Sequence, residues 1–297
     1  MEANMADLLQ IQGHVTELAP GLTVRRVLPA AVKRSVGPFV FFDHLRPVEL
    51  APETDSDVGA HPHIGLATVT YLFEGSFVHR DSIGTVQMIT PGDINWMIAG
   101  KGVVHSERVT DEERGKVRRL HGLQLWVALP PALEEVEPSF QHAAAADIPE
   151  YKALSGATVR VLLGEAFGHA SPVKTSSPTL YLDVKLPPDG TWSLPALATE
   201  MALYSPEHAL LVNGEAIPAQ QMVVLPSDAA TSICAGEDGA RFVVVGGAPL
   251  EQPVRMWWNF VSVDRDRIAA AAKRWEANEF NMIAGETERI PAPKWRE

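Results

Sequence analysis

Short apolar runs rich in Val, Ile, Thr and aromatic residues recur along most of the chain, and Gly, Pro, Asn or Asp interrupts them about every 8–12 residues. Runs of this length fit half-buried strands, whereas a helix would repeat its apolar positions every three or four residues. Evenly spaced short strands are typical of an all-β sandwich or barrel. The predicted strands lie at 37–42, 67–73, 86–89, 94–98, 124–128, 159–163, 181–185, 209–212, 222–225 and 241–245.

The C-terminal region carries the one clear helical pattern. Apolar positions from Ile268 to Trp275 recur at i, i+3, i+4 and i+7, and Asp264 just before them is a residue type that caps helices. We therefore predict one amphipathic helix over 265–277 that packs on the sheets.

Length and a weak internal repeat indicate two domains. A chain of 297 residues has room for two units of roughly 150 residues each. The Pro-Gly-Asp turn at 91–93 is matched in the second half by Pro-Ser-Asp at 226–228, and similar strands follow both turns. The stretch 138–156, with four alanines in a row between scattered Pro and Gly, is interpreted as a linker with a short helix at its centre. We expect domains at 1–144 and 145–297, each an antiparallel β-sandwich.

Charge and cysteine content narrow the classes of function. The chain has 25 basic and 37 acidic residues, a net charge of −12, which disfavours direct binding to nucleic acid. Its single cysteine, Cys234, excludes a cysteine-based zinc site and fits a reducing compartment. We see no signal peptide and no apolar run near the ~20 residues that a membrane helix needs. We expect a soluble, cytoplasmic monomer that binds neither membrane nor nucleic acid.

Two pairs of metal-binding residue types stand out. His61 and His63 are two positions apart, as are His105 and Glu107, and residues at i and i+2 of a strand face the same side. A single His-x-His pair is commonly structural, and the second pair is what favours a metal site. If the hairpins between them bring the strands side by side, three imidazoles and one carboxylate converge. Such ligands suit Fe(II), Zn, Cu, Ni or Mn and leave two positions of an octahedral ion open.

The other seven histidines are interpreted as structural. Polar or loop-like surroundings indicate a surface position for some, and strand-like surroundings indicate a hydrogen bond near the core for the rest. Surface positions are expected for His14, His142, His169 and His208, and core positions for His44, His79 and His121.

The segments around both pairs resemble the signatures of the pirin family, within the cupin superfamily. Residues 61–65 (His-Pro-His-Ile-Gly), with 68–75 and 79–84, are similar to the first signature, and 91–107 is similar to the second. The resemblance runs from about residue 20 to the C-terminus.

The resemblance implies a bicupin, in which two β-sandwiches share one chain and only the N-terminal one binds metal. The four side chains of the two pairs are the implied ligands, and iron is the usual metal of the family, so we expect Fe(II). In the second half, counting fourteen and twelve residues back from Gly214, as His61 and His63 stand to Gly75, reaches Glu200 and Ala202 instead of histidines. The second domain is therefore expected to hold no metal.

Some pirins are similar in activity to quercetin 2,3-dioxygenases, which open a flavonol ring with dioxygen and release carbon monoxide. In that reaction Glu107 would accept the proton of the 3-hydroxyl group while it stays near the ion. The side chains expected in the pocket wall are Asp43 and Gln124 as polar groups, with Phe41, Met97 and Trp126 as apolar lining.

Two alternative functions remain open at this point. Pirins also resemble metal-dependent regulators that bind a transcription factor or a metabolic enzyme, and the acidic charge fits a protein partner. The oxidation state of iron would then switch the binding surface. A cupin that only stores metal, or uses it structurally, is the other alternative. It fits less well, because structural metal sites are usually closed.

Overall fold

The computed structural model describes residues 8–19 and 22–295. Within them, strands dominate, and the single α-helix, 12 residues long, is too short and too polar to cross a bilayer. Backbone contacts divide the chain into two units, which we call the histidine unit and the second unit. Among the described residues, the histidine unit comprises 15–19, 22–26, 40–147 and 250–295, and the second unit comprises 8–14, 27–39 and 148–249.

The histidine unit is built from a seven-stranded sheet, a four-stranded sheet and a short hairpin. In order across the larger sheet, the strands are Ser139–Ala143, Ile94–Ile98, Leu66–Glu74, Arg118–Ala128, Phe39–Leu50, Leu22–Leu28 and His14–Ala19. The smaller sheet runs Val58–His63, Val103–Arg108, Phe77–Asp81 and Val86–Ile89, and the hairpin pairs Arg255–Trp257 with Phe260–Ser262.

Side chains on both faces of the central strand Arg118–Ala128 are buried in the core of the histidine unit. Leu120 and Trp126 belong to two separate clusters of buried apolar residues. Phe41 joins Trp126 from the neighbouring strand. Burying each such side chain contributes about 1.5–3 kcal/mol. This apolar packing fixes the strands that carry the histidines.

The second unit repeats the combination of a seven-stranded and a four-stranded sheet. In order across the larger sheet, its strands are Gln10–Ile11, Met222–Val224, Glu200–Tyr204, Ala240–Gly247, Thr179–Leu186, Thr158–Leu163 and Glu150–Lys152. The smaller sheet runs Thr191–Leu194, Thr231–Cys234, Leu210–Val212 and Glu215–Ile217, and a separate hairpin pairs Glu165–Ala166 with His169–Ala170.

The internal repeat exists, but its predicted alignment was wrong by one strand. Turn spacing matched the histidine pair to Glu200 and Ala202, which lie in the larger sheet. The strand that takes the place of Val58–His63, at the edge of the four-stranded sheet, is Thr191–Leu194. Its Trp192 belongs to the apolar core of that unit. Counting back from Gly214 failed because this turn joins Leu210–Val212 to Glu215–Ile217, whereas Gly75 follows Leu66–Glu74, one connection earlier in the repeat.

The segment from Leu250 onward belongs to the histidine unit, although the sequence-based division placed it in the second domain. The helix forms at Arg265–Glu276 as predicted, and Asp264 caps it by accepting the Asp266 N–H at 2.8 Å. Trp275 packs in one cluster with Ala60 of the smaller sheet. The amphipathic face therefore covers the sheet that carries the first histidine pair.

The predicted linker at 138–156 contains two strands. Ser139–Ala143 pairs with Ile94–Ile98, and Glu150–Lys152 pairs with Thr158–Leu163. Between them the Ala-rich centre forms only a 3₁₀ turn, Ala145–Asp147; another such turn lies upstream at Pro131–Leu133. These are edge strands with few fully buried positions, so the hydrophobic pattern that reveals central strands is weak in them.

Two glycines with positive φ allow a test of how tightly the C-terminal segment packs. At Gly65 (φ +69°), a Cβ atom would lie 1.9 Å from the carbonyl oxygen of Val261, whereas at Gly84 (φ +96°) it would meet open space. We expect Gly84→Ala to cost about 1–3 kcal/mol of backbone strain. Gly65→Ala should cost about 1–3 kcal/mol more, because the backbone must move. Urea denaturation of both variants measures this, and equal free energies of unfolding would contradict the packing described.

Candidate metal centre

Three histidines meet on the buried face of the four-stranded sheet. His61 and His63 lie on Val58–His63, and His105 lies on the neighbouring Val103–Arg108, directly opposite His61. Their exposed fractions are 8, 1 and 2%. The ring centroids are 5.1, 4.3 and 4.9 Å apart, and one nitrogen from each ring lies within 4.8 Å of the other two. The structure thus brings together the three histidines that the sequence paired.

Backbone carbonyls fix the orientation of two of the rings. His61 Nδ1 lies 2.8 Å from the carbonyl oxygen of Gly59, and His63 Nδ1 lies 3.1 Å from that of Asn259. A carbonyl oxygen only accepts hydrogen bonds, so each Nδ1 carries the proton and each Nε2 keeps a free lone pair. This is the tautomer in which a histidine binds a metal through Nε2.

Burial keeps the three imidazoles uncharged. It lowers the pKa of His61 to about 4 and holds the pKa values of His63 and His105 well below 6.5. His63 Nε2 and His105 Nε2 face each other at 3.1 Å. Two opposed lone pairs at this distance repel, and a cation that both nitrogens bind removes the repulsion. The residues therefore fit a divalent ion.

Glu107 lies two residues beyond His105 and adds a carboxylate on a half-buried side chain. The pairing of its strand with Val58–His63 shifts register between His105 and Glu107, so that Glu107 lies opposite Val58. Oε1 of Glu107 has no accessible surface and, among the described residues, no hydrogen-bond partner, and burial raises the pKa of this carboxyl group to about 7. The carboxylate is not part of the group of atoms within 4.8 Å. An unsatisfied buried oxygen is what a nearby cation would stabilise.

The three apolar residues predicted for the pocket wall lie in one cluster near the histidines. Phe41 and Trp126 stack with ring centroids 4.0 Å apart, and Met97 is buried in the same cluster. Trp126 also contacts His63 edge-on at a centroid distance of 5.1 Å. The cluster therefore forms one apolar side of the three-histidine group.

The two predicted polar wall residues are held by other side chains. Arg26 binds both carboxylate oxygens of Asp43, through Nε at 2.9 Å and a terminal nitrogen at 2.8 Å. Thr70 donates its hydroxyl proton to Oε1 of Gln124 at 2.8 Å. Asp43 in particular is engaged in a bidentate ion pair and not free to orient a ligand by itself.

Sequence reasoning missed the part that the C-terminal segment plays at the site. Asn259 supplies the carbonyl that fixes His63 from 196 residues away, and Glu286 accepts a hydrogen bond from Ser106, between His105 and Glu107 in the chain. A backbone carbonyl has no side-chain signature, so no pattern in the sequence points to Asn259. Ser106 and Glu286 are 180 positions apart in the chain, so no short-range spacing in the sequence predicts their contact either.

Comparisons with known proteins agree with this architecture. The family profile described as Pirin matches residues 21–127, and that described as Pirin C-terminal cupin domain matches 181–281. A pirin-like protein of Caulobacter vibrioides is 42% identical over 264 residues, which are 87% of this chain and 90% of that protein. A Pseudomonas aeruginosa protein provisionally named quercetin 2,3-dioxygenase is 35% identical over 290 residues, 96% of this chain and 90% of that protein. The crystal structure of a quercetin 2,3-dioxygenase from Acinetobacter baumannii matches with a TM-score of 0.90 and 32% identity, covering 98% of this chain and 96% of that one.

The fold and the buried histidine group define a bicupin, with two antiparallel β-sandwich units in one chain. More narrowly, the chain belongs to the pirin family. The predicted fold class, with its C-terminal helix, and the predicted family are both confirmed.

The titration of Glu107 predicts how metal binding depends on pH. Because its pKa is about 7 in the metal-free site, the group is protonated at pH 6, and an ion that it binds must displace that proton. The three imidazoles are already neutral there, so they add no pH dependence of their own. We expect zinc affinity, measured by competition with a chromophoric chelator, to rise about tenfold from pH 6 to pH 7.5.

Glu107→Gln should bind zinc more weakly and with the same affinity at both pH values, since glutamine has no proton to displace. A wild-type affinity that does not change over this range would contradict coordination by Glu107.

Proposed function

We propose that this protein is a mononuclear metal-dependent dioxygenase that opens the ring of a flavonol such as quercetin. The observation that carries the proposal is the group of three buried, uncharged imidazoles beside Glu107, whose Oε1 has no hydrogen-bond partner among the described residues. The names of the Pseudomonas and Acinetobacter relatives support the choice of reaction. Both atoms of dioxygen would enter the product, and the carbon that bears the 3-hydroxyl group would leave as carbon monoxide.

The proposed ligands are His61, His63, His105 and Glu107, with Glu107 completing the set by a movement of its side chain. Three nitrogens and one oxygen suit Fe(II), which we propose as the ion, and also Zn, Ni, Cu or Mn. When bound, the ion supplies Lewis acidity toward the flavonol oxygens and a redox-active centre for dioxygen. The lone cysteine fits a reducing compartment, and we propose the cytoplasm as the location.

The role of Glu107 is that of a general base. A flavonol must lose its 3-hydroxyl proton to become electron-rich enough to react with dioxygen. In the metal-free site burial raises the pKa of Glu107 to about 7, so its neutral, protonated form is stable inside the sandwich, and Glu107 can keep a proton there once it leaves the ion. In this proposal the carboxylate accepts the proton and holds it inside the sandwich, away from water.

Glu107 lines a cavity of about 30 Å³ whose walls are mainly leucine, valine and phenylalanine side chains. Mainly apolar walls with a few charged groups suit a planar aromatic substrate. A flavonol needs several times this volume, so the proposal requires residues at the exposed end, such as Leu18 and Arg119, to move aside. The cluster of Phe41, Met97 and Trp126 is proposed as the apolar wall beside the ion, with Asp43 and Gln124 as polar wall residues.

Substitution of Glu107 tests the proposed base. At equal iron occupancy, Glu107→Gln should lower kcat for quercetin by about 10²–10⁴-fold, because glutamine cannot accept the proton. Oxygen consumption and ring-opened product are measured in air, and iron content is measured separately in each preparation. The control is Glu74→Gln, an exposed carboxylate of the histidine unit that lies outside this cavity and that we expect to leave kcat within about twofold. The proposal fails if the iron-loaded wild type consumes no oxygen with quercetin.

A further inference from the structure

A second histidine–carboxylate pair lies directly beside the three-histidine group. His79 and Asp81 are on the strand Phe77–Asp81, which pairs with the strand that carries His105 and places Asp81 opposite that residue. Both side chains are buried, with 4 and 2% exposure. The dioxygenase mechanism above gives them no role.

A continuous line of close polar contacts connects Asp81 with the histidine group. Asp81 Oδ2 lies 3.0 Å from His79 Nε2, and His79 Nδ1 lies 3.4 Å from His105 Nδ1. His105 Nε2 in turn faces His63 Nε2 at 3.1 Å. Phe140 stacks on the His79 ring with centroids 4.6 Å apart, which limits rotation of that ring.

The carboxylate sets the position of every proton along this line. An ionised carboxylate only accepts hydrogen bonds, so His79 must carry its proton on Nε2. His79 Nδ1 is then an acceptor, and the contact with His105 requires the proton of that ring on Nδ1. His105 Nε2 is left with a free lone pair, directed at the site of the ion. Asp81 thereby determines the tautomer of His105 through one intervening ring.

His105 differs in this respect from the other two histidines of the group. Their Nδ1 protons are donated to backbone carbonyls, whose accepting character does not depend on any side chain. The acceptor for His105 is an imidazole, which offers an acceptor at Nδ1 only while its own proton stays on Nε2.

We propose that His79 and Asp81 are positioning residues that hold His105 in its metal-binding tautomer. The inference rests on the metal site of the proposed function, and it extends that site by two side chains. Residues that orient a metal-binding histidine typically contribute 10–100-fold in metal affinity.

The two oxygens of Asp81 have separate partners, which makes a selective substitution possible. Oδ1 accepts the backbone N–H groups of Ile83 at 3.1 Å and Thr85 at 2.9 Å, while Oδ2 accepts from His79. In Asp81→Asn, the side-chain amide oxygen must occupy the Oδ1 position, because only an oxygen there can accept the N–H groups of Ile83 and Thr85. The NH₂ group then faces His79 Nε2 and forces the His79 proton to Nδ1, where it opposes the Nδ1 proton of His105.

His79→Asn supplies the complementary variant. The asparagine Oδ1 atom is bonded to Cγ, as imidazole Nδ1 is, so it offers an acceptor to His105 without any proton that depends on Asp81. We expect zinc affinity, measured by chelator competition, to fall about 10–100-fold in Asp81→Asn and to stay within about threefold of wild type in His79→Asn. In the double variant the loss should disappear, because the side chain at 79 no longer transmits the state of the side chain at 81.

Asp93→Asn is the matched control. Asp93 is also buried in the histidine unit, and its oxygens accept backbone N–H groups of Thr90 and Ala145, yet it has no histidine partner. It should lose stability without losing zinc affinity. Imidazole ¹⁵N shifts of the metal-free protein provide an independent readout, with the His79 proton moving from Nε2 to Nδ1 in Asp81→Asn.

Three results would overturn the inference. One is unchanged zinc affinity in Asp81→Asn, and another is a loss that persists at full size in the double variant. Both leave the metal site itself intact, because the wild type still binds zinc. A wild-type protein that binds no zinc would overturn this inference together with the proposed function. Zinc affinity does not depend on turnover, so a failed quercetin assay alone leaves the positioning role standing.

Discussion

Three imidazoles buried against one another without charge are the constraint on which the rest of this structure depends. Each ring needs an acceptor for its Nδ1 proton, or its Nε2 atom loses the lone pair that faces the other rings. Two strands alone do not provide those acceptors. The backbone of the first strand at Gly59, a neighbouring strand and the C-terminal segment each supply one. The strands, the hairpin and the C-terminal segment of the histidine unit therefore share in holding one small polar group.

The sequence predicts those features that repeat with the period of a secondary structure. The i and i+2 pairs at 61–63 and 105–107 are visible because strand residues alternate, and the helix at Arg265–Glu276 is visible because its apolar face recurs. Central strands are equally easy to recognise in the sequence. Edge strands such as Ser139–Ala143 are not, because few of their side chains are fully buried. Of the site, the imidazoles are foreseen, and the Asn259 carbonyl that fixes one of them is not.

The two units share one arrangement of sheets but bury different kinds of side chain. In the second unit, the strands that correspond to the histidine-bearing pair contribute Trp192, Leu194 and Ile233 to a continuous apolar core. Side chains of this kind stabilise a sandwich without any polar partners. The histidine unit instead buries polar rings, and it gains additional apolar packing from the helix, whose Ile268 and Trp275 cover the same sheet. A second layer of apolar contacts thus accompanies the polar interior.

The most direct test of the central claim is the metal stoichiometry of the purified protein after iron or zinc loading and removal of loosely bound ions. The account predicts one ion per chain for the wild type, and none for a folded variant in which His61, His63 and His105 are all replaced by alanine. X-ray absorption should find nitrogen and oxygen ligands at about 2.0–2.2 Å from zinc, with imidazole scattering. A wild type that retains no ion, or a triple variant that retains the same ion, would contradict it.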